Sequence, residues 1–307
     1  MTTNTIDWSF NGTWPYPPQW FETPEGRLHY VDEGPRDGRP VVLVHGNPSW
    51  GYLFRNFIPP LVAAGYRVIV PDHLGFGRSD KPDAADGYGI EQHARRLDAL
   101  LESLDLHNTT VVPHDWGGPV GLYWAVQHRN RVQSVVLLNT FLHRPTGPVA
   151  LTLPLRIFRI PGLGELLVKG LHLIVRAFLL GGGVLRHDRL TAVVRNAYLA
   201  PHPDWSSRSG ALAFARQFPD GPHGAVADFQ DRVHQGLIKA PALPAAIIWA
   251  NDDVVLDQSI LHRWQQDFPK AETLRLKGTG HFLQEDAHEE VVPALLKFLQ
   301  SPRIAPR

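Results

Sequence analysis

The sequence predicts an α/β fold, a mostly parallel sheet with helices on both faces. Three observations predict it. Runs such as Val41-Val-Leu-Val44, Arg67-Val-Ile-Val70 and Ala245-Ala-Ile-Ile-Trp249 are apolar almost throughout, as expected of parallel strands covered on both sides. They alternate with stretches of helical period, of which Glu91 to Leu104 is the clearest, with Ala94, Leu97, Leu101 and Leu104 on one face. Asn47, Asp72, Asp115 and Asn139 each stand where an apolar run stops. Ligands of such sheets bind beyond the carboxyl ends of the strands, so one edge of the sheet collects the polar residues.

In chain order, Arg27 to Gly34 reads as a first strand, ended by the turn residues that follow it. Val41–Val44 comes next and stops at His45-Gly-Asn-Pro48. Phe57 to Val62 then leads into Arg67–Val70, which stops at Pro71-Asp72. Gly75 to Asp80 is a glycine-containing loop with neither the P-loop spacing nor G-x-G-x-x-G, so it is not read as a phosphate cradle. After the helix 91–104, the β-branched run Thr109–Val112 predicts a buried strand. Gly117-Gly118 breaks it, and Pro119 suits the first turn of a following helix. Val132–Leu138 is the next strand. From about residue 144 to 235 the pattern becomes helical, with Leu171, Ile174, Val175, Phe178 and Leu179 at helical spacing and Gly181–Gly183 as a connection. This block is read as a cap domain, 144–235, inserted into a core of 1–143 and 236–307, closing over the polar strand ends to exclude water. The sheet resumes at Ala245–Trp249 and Glu272–Leu276, and an amphipathic helix, Val291–Leu299, ends the fold.

Composition narrows the function. The 307 residues are 43% hydrophobic and 20% charged, as in ordinary globular proteins. Thirty basic and thirty acidic residues cancel, with no basic block, which argues against nucleic-acid and membrane partners. The absence of cysteine removes disulfides, thiolate metal sites and cysteine nucleophiles. The 16 histidines show no H-E-x-x-H or comparable spacing, so no metal or other cofactor is expected. The N-terminus lacks the pattern of a secretory signal, and Leu163 to Leu180 is interrupted by Glu165, Lys169 and Arg176, too often for a membrane span. A cytoplasmic location is the expectation.

Asp115 lies between the strand 109–112 and the helix beginning at Gly117. Alone it could be a helix N-cap. A strand, sharp turn and helix with a nucleophile at the tip is also the nucleophile elbow of the α/β-hydrolases. No G-x-S-x-G occurs, so the nucleophile here would be a carboxylate. The chain order of nucleophile, acid and histidine in that fold is met by Asp115, Asp253 and His281. Asp252 competes with Asp253, which is preferred because Trp249-Ala-Asn-Asp-Asp253 places it at the acid of a W-G-x-x-D pattern. A carboxylate attacking saturated carbon forms an alkyl ester, which water activated by His281 then hydrolyses. The backbone N–H groups of Asn47 and Trp116 are placed for the oxyanion. The Trp116 indole N–H and the Asn47 amide NH2 are neutral donors suited to a departing halide.

HGNPSWGYLFR (45–55), GFGRSD (75–80), HDWGG (114–118) and GTGHFLQED (278–286) resemble the haloalkane dehalogenases, over nearly the whole chain but least in the cap. The resemblance implies an α/β-hydrolase fold, with a mostly parallel eight-stranded sheet flanked by helices and an inserted helical cap. It implies Asp115 as nucleophile, His281 as base, and Trp116 and Asn47 as halide donors. With Asn139 after the sixth strand and Asp253 after the seventh, the chain resembles the branch with an Asp–His–Asp triad. The implied partners are a halogenated aliphatic substrate, water and halide ion. Pro113 departs from the usual small residue of the elbow. The rival reading is an epoxide hydrolase using the same triad, but that chemistry takes two cap tyrosines and only Tyr198 lies in 144–235. Fluoroacetate-type dehalogenases carry an arginine where Trp116 stands.

Overall fold

The structure is a computed structural model that describes residues 6–82, 85–146, 156–239 and 243–301. Parts of the expected cap (147–155) and core (240–242) therefore lie outside the described residues. Eight strands form one sheet in the order β1-β2-β4-β3-β5-β6-β7-β8. They are β1 Gln19–Thr23, β2 Gly26–Glu33, β3 Pro40–Val44, β4 Arg67–Pro71, β5 Thr109–Asp115, β6 Val132–Thr140, β7 Ala245–Ala250 and β8 Glu272–Leu276. β1 and β2 pair antiparallel, as do β2 and β4, and every other pair is parallel. Every residue of β3, β5 and β7 is buried, which is why β3 and β7 read as unbroken apolar runs.

Two strands differ from the sequence reading. The chain's first strand is β1, ahead of the one expected at Arg27. Its residues are only half-buried or exposed and it pairs on one side alone, so it lacks the apolar signal of a covered strand. The strand ending at the elbow also runs past Val112 to Asp115. Pro113 sits within it, buried and in register with Val44 of β3. The β5–β6 register shifts between His114 and Asp115, so the ladder breaks just where the chain turns.

Helices α1 (Ile58–Ala63), α2 (Ile90–Ser103) and α3 (Gly117–Gln127) flank the first half of the sheet. α3 lies so close to β3 that a Cβ on Gly117 would stand 2.2 Å from the Val44 carbonyl oxygen. Over the strand ends lie α4 (Leu173–Leu180), α5 (Ala192–Leu199) and α6 (Ser209–Arg216), with shorter helical turns between 156 and 170. Polar contacts tie them down. The Trp50 indole N–H donates to the Ala197 carbonyl at 2.9 Å, and the Tyr198 hydroxyl bonds the buried Glu285 carboxylate, which also pairs with Arg55. The next helix, α7 (Ala225–Lys239), packs instead on α3: Gly236 meets Val126, and the rings of Phe229 and Tyr123 lie 5.8 Å apart. The expected boundary at residue 235 falls inside this helix. Helices α8 (Gln258–Asp267) and α9 (His288–Leu299) complete the flanks. No helix of the described residues is long and apolar enough to cross a membrane.

Because nothing can yield between α3 and the β3 backbone, Gly117→Ala is expected to lower stability by about 1–3 kcal/mol, the usual cost of overpacking. Urea unfolding followed by circular dichroism measures it, and an unchanged midpoint would contradict the close approach.

Candidate active site

The site grows from the end of β5. Asp115 holds φ at 53°, a left-handed conformation that costs a non-glycine residue about 1–3 kcal/mol unless its surroundings impose it. Here they do. The Thr140 hydroxyl donates to the Asp115 carbonyl at 2.6 Å, and the Trp264 indole N–H donates to the Thr140 carbonyl at 2.7 Å. The Asp115 carboxylate is presented to the turn after β3, where Oδ1 accepts the Asn47 backbone N–H at 2.8 Å. Gly46 permits the approach: a Cβ there would lie 2.1 Å from Asp115 Oδ1 and 2.6 Å from the Trp116 nitrogen. The two backbone N–H groups expected of an oxyanion site thus flank one glycine.

His281 is completely buried in the loop after β8. Its Nδ1 bonds Asp253 Oδ2 at 2.8 Å, and its Nε2 stands 3.5 Å from Asp115 Oδ2 with no hydrogen-bond partner among the described residues. The three members of the predicted triad are therefore adjacent, in the expected order. Asp253 is fixed at both oxygens: Oδ1 accepts the N–H groups of Val255 (2.7 Å) and Leu256 (3.1 Å), and Oδ2 accepts Asn139 Nδ2 at 2.7 Å. Burial would push its carboxyl up, but the charge and hydrogen bond of His281 and these donors hold it below the usual value. Burial would likewise lower His281, and the two carboxylates override it, raising the ring to about 10. Asp252 is exposed and accepts the Gly278 N–H at 2.7 Å, shaping the loop rather than meeting the imidazole.

Sequence reasoning gave no role to three residues that hold these groups. His114, whose ring lies 4.7 Å from that of His281, bonds the His281 carbonyl through Nε2 at 2.9 Å. Burial drives its pKa down to about 3, so it stays neutral beside the charged ring. Asn139, used above only as a polar strand end and to tell the family branch, clamps Asp253 and also accepts the Ala250 N–H at 2.6 Å. Asp286 accepts N–H groups from Gly280, Leu185 and Arg186, joining the histidine loop to the segment after α4. Asp72, the other polar strand end, bonds His29, Gly51 and Arg78 and organises turns away from the triad.

Asp115, Asn47 and Trp116 line a cavity of about 310 Å³ whose other walls are mostly apolar, including Phe158, Ile174, Phe178 and Phe218. Asn47 Oδ1 is buried without a partner among the described residues. The Trp116 ring is wedged among Phe141, Phe214 and Phe218 at centroid distances of 4.8, 5.8 and 5.6 Å, which fixes where its N–H can reach. Such a cavity takes an apolar molecule and presents a carboxylate and a few donors to one point on it. Elsewhere, His143 and His234 both bond Asp267 Oδ2, at 2.6 and 2.8 Å, and this trio lines no part of the cavity.

Residues 39–288 match the family model of the α/β-hydrolase fold. A haloalkane dehalogenase of Psychrobacter cryohalolentis is 36% identical over 288 residues, covering 92% of this chain and 90% of its own. The chain belongs to the haloalkane dehalogenase family of the α/β-hydrolase superfamily. Another relative at similar distance carries a different name: a cis-3-alkyl-4-alkyloxetan-2-one decarboxylase of Xanthomonas campestris is 37% identical over 286 residues, covering 89% of this chain and 92% of its own. Among solved structures, the tetrameric haloalkane dehalogenase of Paraglaciecola agarilytica superposes with a TM-score of 0.81 at 28% identity, covering 94% of this chain and 95% of that one.

The raised His281 pKa makes stability depend on pH. A group whose folded pKa exceeds its unfolded value contributes fully below the unfolded pKa and loses that contribution as pH rises through the folded one. The unfolding midpoint of the native chain relative to His281→Gln is therefore expected to fall between about pH 6.5 and pH 10. Calorimetry at intervals of pH checks this, and a constant difference would mean that the imidazole is not charged in the resting site.

Proposed function

We propose that this chain is a haloalkane dehalogenase, hydrolysing carbon–halogen bonds of small apolar substrates. The observation that carries the reading is the Asp115 carboxylate facing an apolar cavity, with His281 Nε2 3.5 Å behind it and Asn47 and Trp116 at the same cavity wall. The helical block over the strand ends would act as the cap. An oxygen of Asp115 attacks the halogen-bearing carbon, the C–X electron pair leaves with the halide, and an alkyl ester of Asp115 remains. The Trp116 indole and the Asn47 amide donate to the departing ion. Esterification removes one of the two negative charges that hold the proton on His281, so the ring becomes neutral more readily and can take a proton from water. That water attacks the ester carbonyl, the backbone N–H groups of Asn47 and Trp116 bind the oxyanion, and alcohol and a proton are released. Asp253, held by Asn139, stabilises the imidazolium. No step uses a cofactor.

An epoxide hydrolase is less well supported. Its acid would come from the cap, and Tyr198 is committed to Glu285 and lines no part of the cavity. A second reading has a specific observation in its favour, the 37% identity to the oxetan-2-one decarboxylase. Attack of Asp115 on the ring carbon bearing oxygen would break that C–O bond and free a carboxylate toward the same donors. Loss of CO2 would then move its C–C electron pair into an alkene and expel the Asp115 carboxylate. This route needs no activated water.

Incubation with a short panel of bromoalkanes is expected to release bromide, and Asp115→Ala to abolish release while circular dichroism stays unchanged. His281→Gln is expected to release about one equivalent of bromide and retain the alkyl group as a mass increase on the protein. CO2 and alkene from a cis-3,4-dialkyloxetan-2-one, with no bromide from the panel, would transfer the assignment to the second reading. Diol from epoxides alone would overturn both.

A further inference from the structure

The helical block over the cavity exposes apolar side chains beside basic ones. Leu171 is 58% exposed, Leu166 53%, Ile160 49% and Trp205 49%. Several of these are neighbours. A Cβ on Gly170 would stand 3.3 Å from the Leu166 side chain and 3.5 Å from the Trp205 ring. The Lys169 ammonium lies 5.3 Å from the centre of that ring, and Arg208 Nη1 donates to the carbonyls of Lys169 (2.6 Å) and Gly170 (3.2 Å). Arg208 and the exposed Arg176 are both close enough to His172 to act on its charge. Between residues 156 and 216 there are nine arginines and lysines against three acids, Glu165, Asp188 and Asp204; Arg156 and Arg159 also pair with Asp220 and Arg189 with Glu289, and with those two acids counted the net charge is +4. Glu165 is occupied by Arg216, and Asp204 by Ser206 and Ser207. The chain's overall neutrality, from which no membrane partner was expected, averages this segment against an acidic remainder.

We propose that this face docks on an anionic phospholipid bilayer. Leucine, isoleucine and tryptophan tips set among lysine and arginine suit the interface, where the apolar tips enter the acyl boundary and the cations stay with phosphates. Each cation near an anionic surface contributes on the order of 1 kcal/mol. The positive excess selects an anionic surface over a neutral one. The cavity also reaches this side: Leu173, 37% exposed and two residues from Leu171, lines it together with Phe158. An apolar substrate dissolved in the bilayer would thus enter toward Asp115, a step that rests on the reading of the cavity given above. Docking itself does not.

The test is sedimentation of the full chain, without substrate, with vesicles of phosphatidylcholine alone or with 30% phosphatidylglycerol (~30%, enough for a negative surface potential). Binding to the anionic vesicles at least tenfold tighter than to the neutral ones is expected, weakened at least tenfold by 0.5 M salt (~0.5 M, where screening is short-ranged). Leu166→Asp with Leu171→Asp, and separately Arg176→Glu, should each reduce it several-fold while leaving the unfolding midpoint and turnover of a water-soluble substrate unchanged. No sedimentation with anionic vesicles, equal binding by the variants, or self-association that the double substitution abolishes in place of vesicle binding would overturn the proposal. Failure of dehalogenation would leave this result standing, because the readout needs no turnover.

Discussion

One imidazole between two carboxylates, sealed from water, is the constraint on which the rest of this structure depends. Removing charges from water costs several kcal/mol per ion unless partners replace the lost hydration. Asp253 receives them from four directions: His281, Asn139 and the N–H groups of Val255 and Leu256. Asp115 is satisfied differently. One oxygen rests on the Asn47 N–H and the other faces His281 and the cavity. Asp253 is thus held at both oxygens and Asp115 at one, as the proposed nucleophilic role of Asp115 requires.

The same constraint shapes the backbone. A carboxylate can reach the turn after β3 only if that turn carries no side chain at Gly46, and only if Asp115 adopts a conformation that most residues avoid. Thr140 and Trp264 hold the carbonyl side of that conformation, so support for the elbow reaches from β6 to α8. The register shift at His114–Asp115 lets β5 leave the ladder at the required place.

Much of this was legible in the sequence because the relevant signals are local. Buried parallel strands are apolar at nearly every position, and the elbow announces itself by a strand, one polar residue and two glycines. Spacing preferred Asp253 to Asp252, and among the described residues it is Asp253 whose carboxylate meets the histidine, while Asp252 takes the Gly278 N–H. What was not legible depends on partners far along the chain. β1 is a strand by virtue of pairing with β2, and its own residues are mostly solvated. Asn139 clamps an aspartate 114 positions away, and Glu285 gathers Arg55 from before α1 and Tyr198 from α5. The packing of α7 against α3 has the same origin: the helix is amphipathic wherever it goes, and only the fold shows which surface receives it.

Asp286 accepts hydrogen bonds from Gly280, one residue before His281, and from Leu185 and Arg186, just beyond α4. The Phe282 N–H answers across the same gap by donating to the Gly183 carbonyl at 2.7 Å. The roof of the cavity and the loop bearing the imidazole are therefore stitched together at one seam. A roof transplanted from a relative to change substrate preference would have to bring 183–186 with a matching partner for Asp286, or the imidazole would inherit the misfit. Under the proposed function, substrate range and proton transfer, separate on the map of the chain, would be mechanically a single inheritance here.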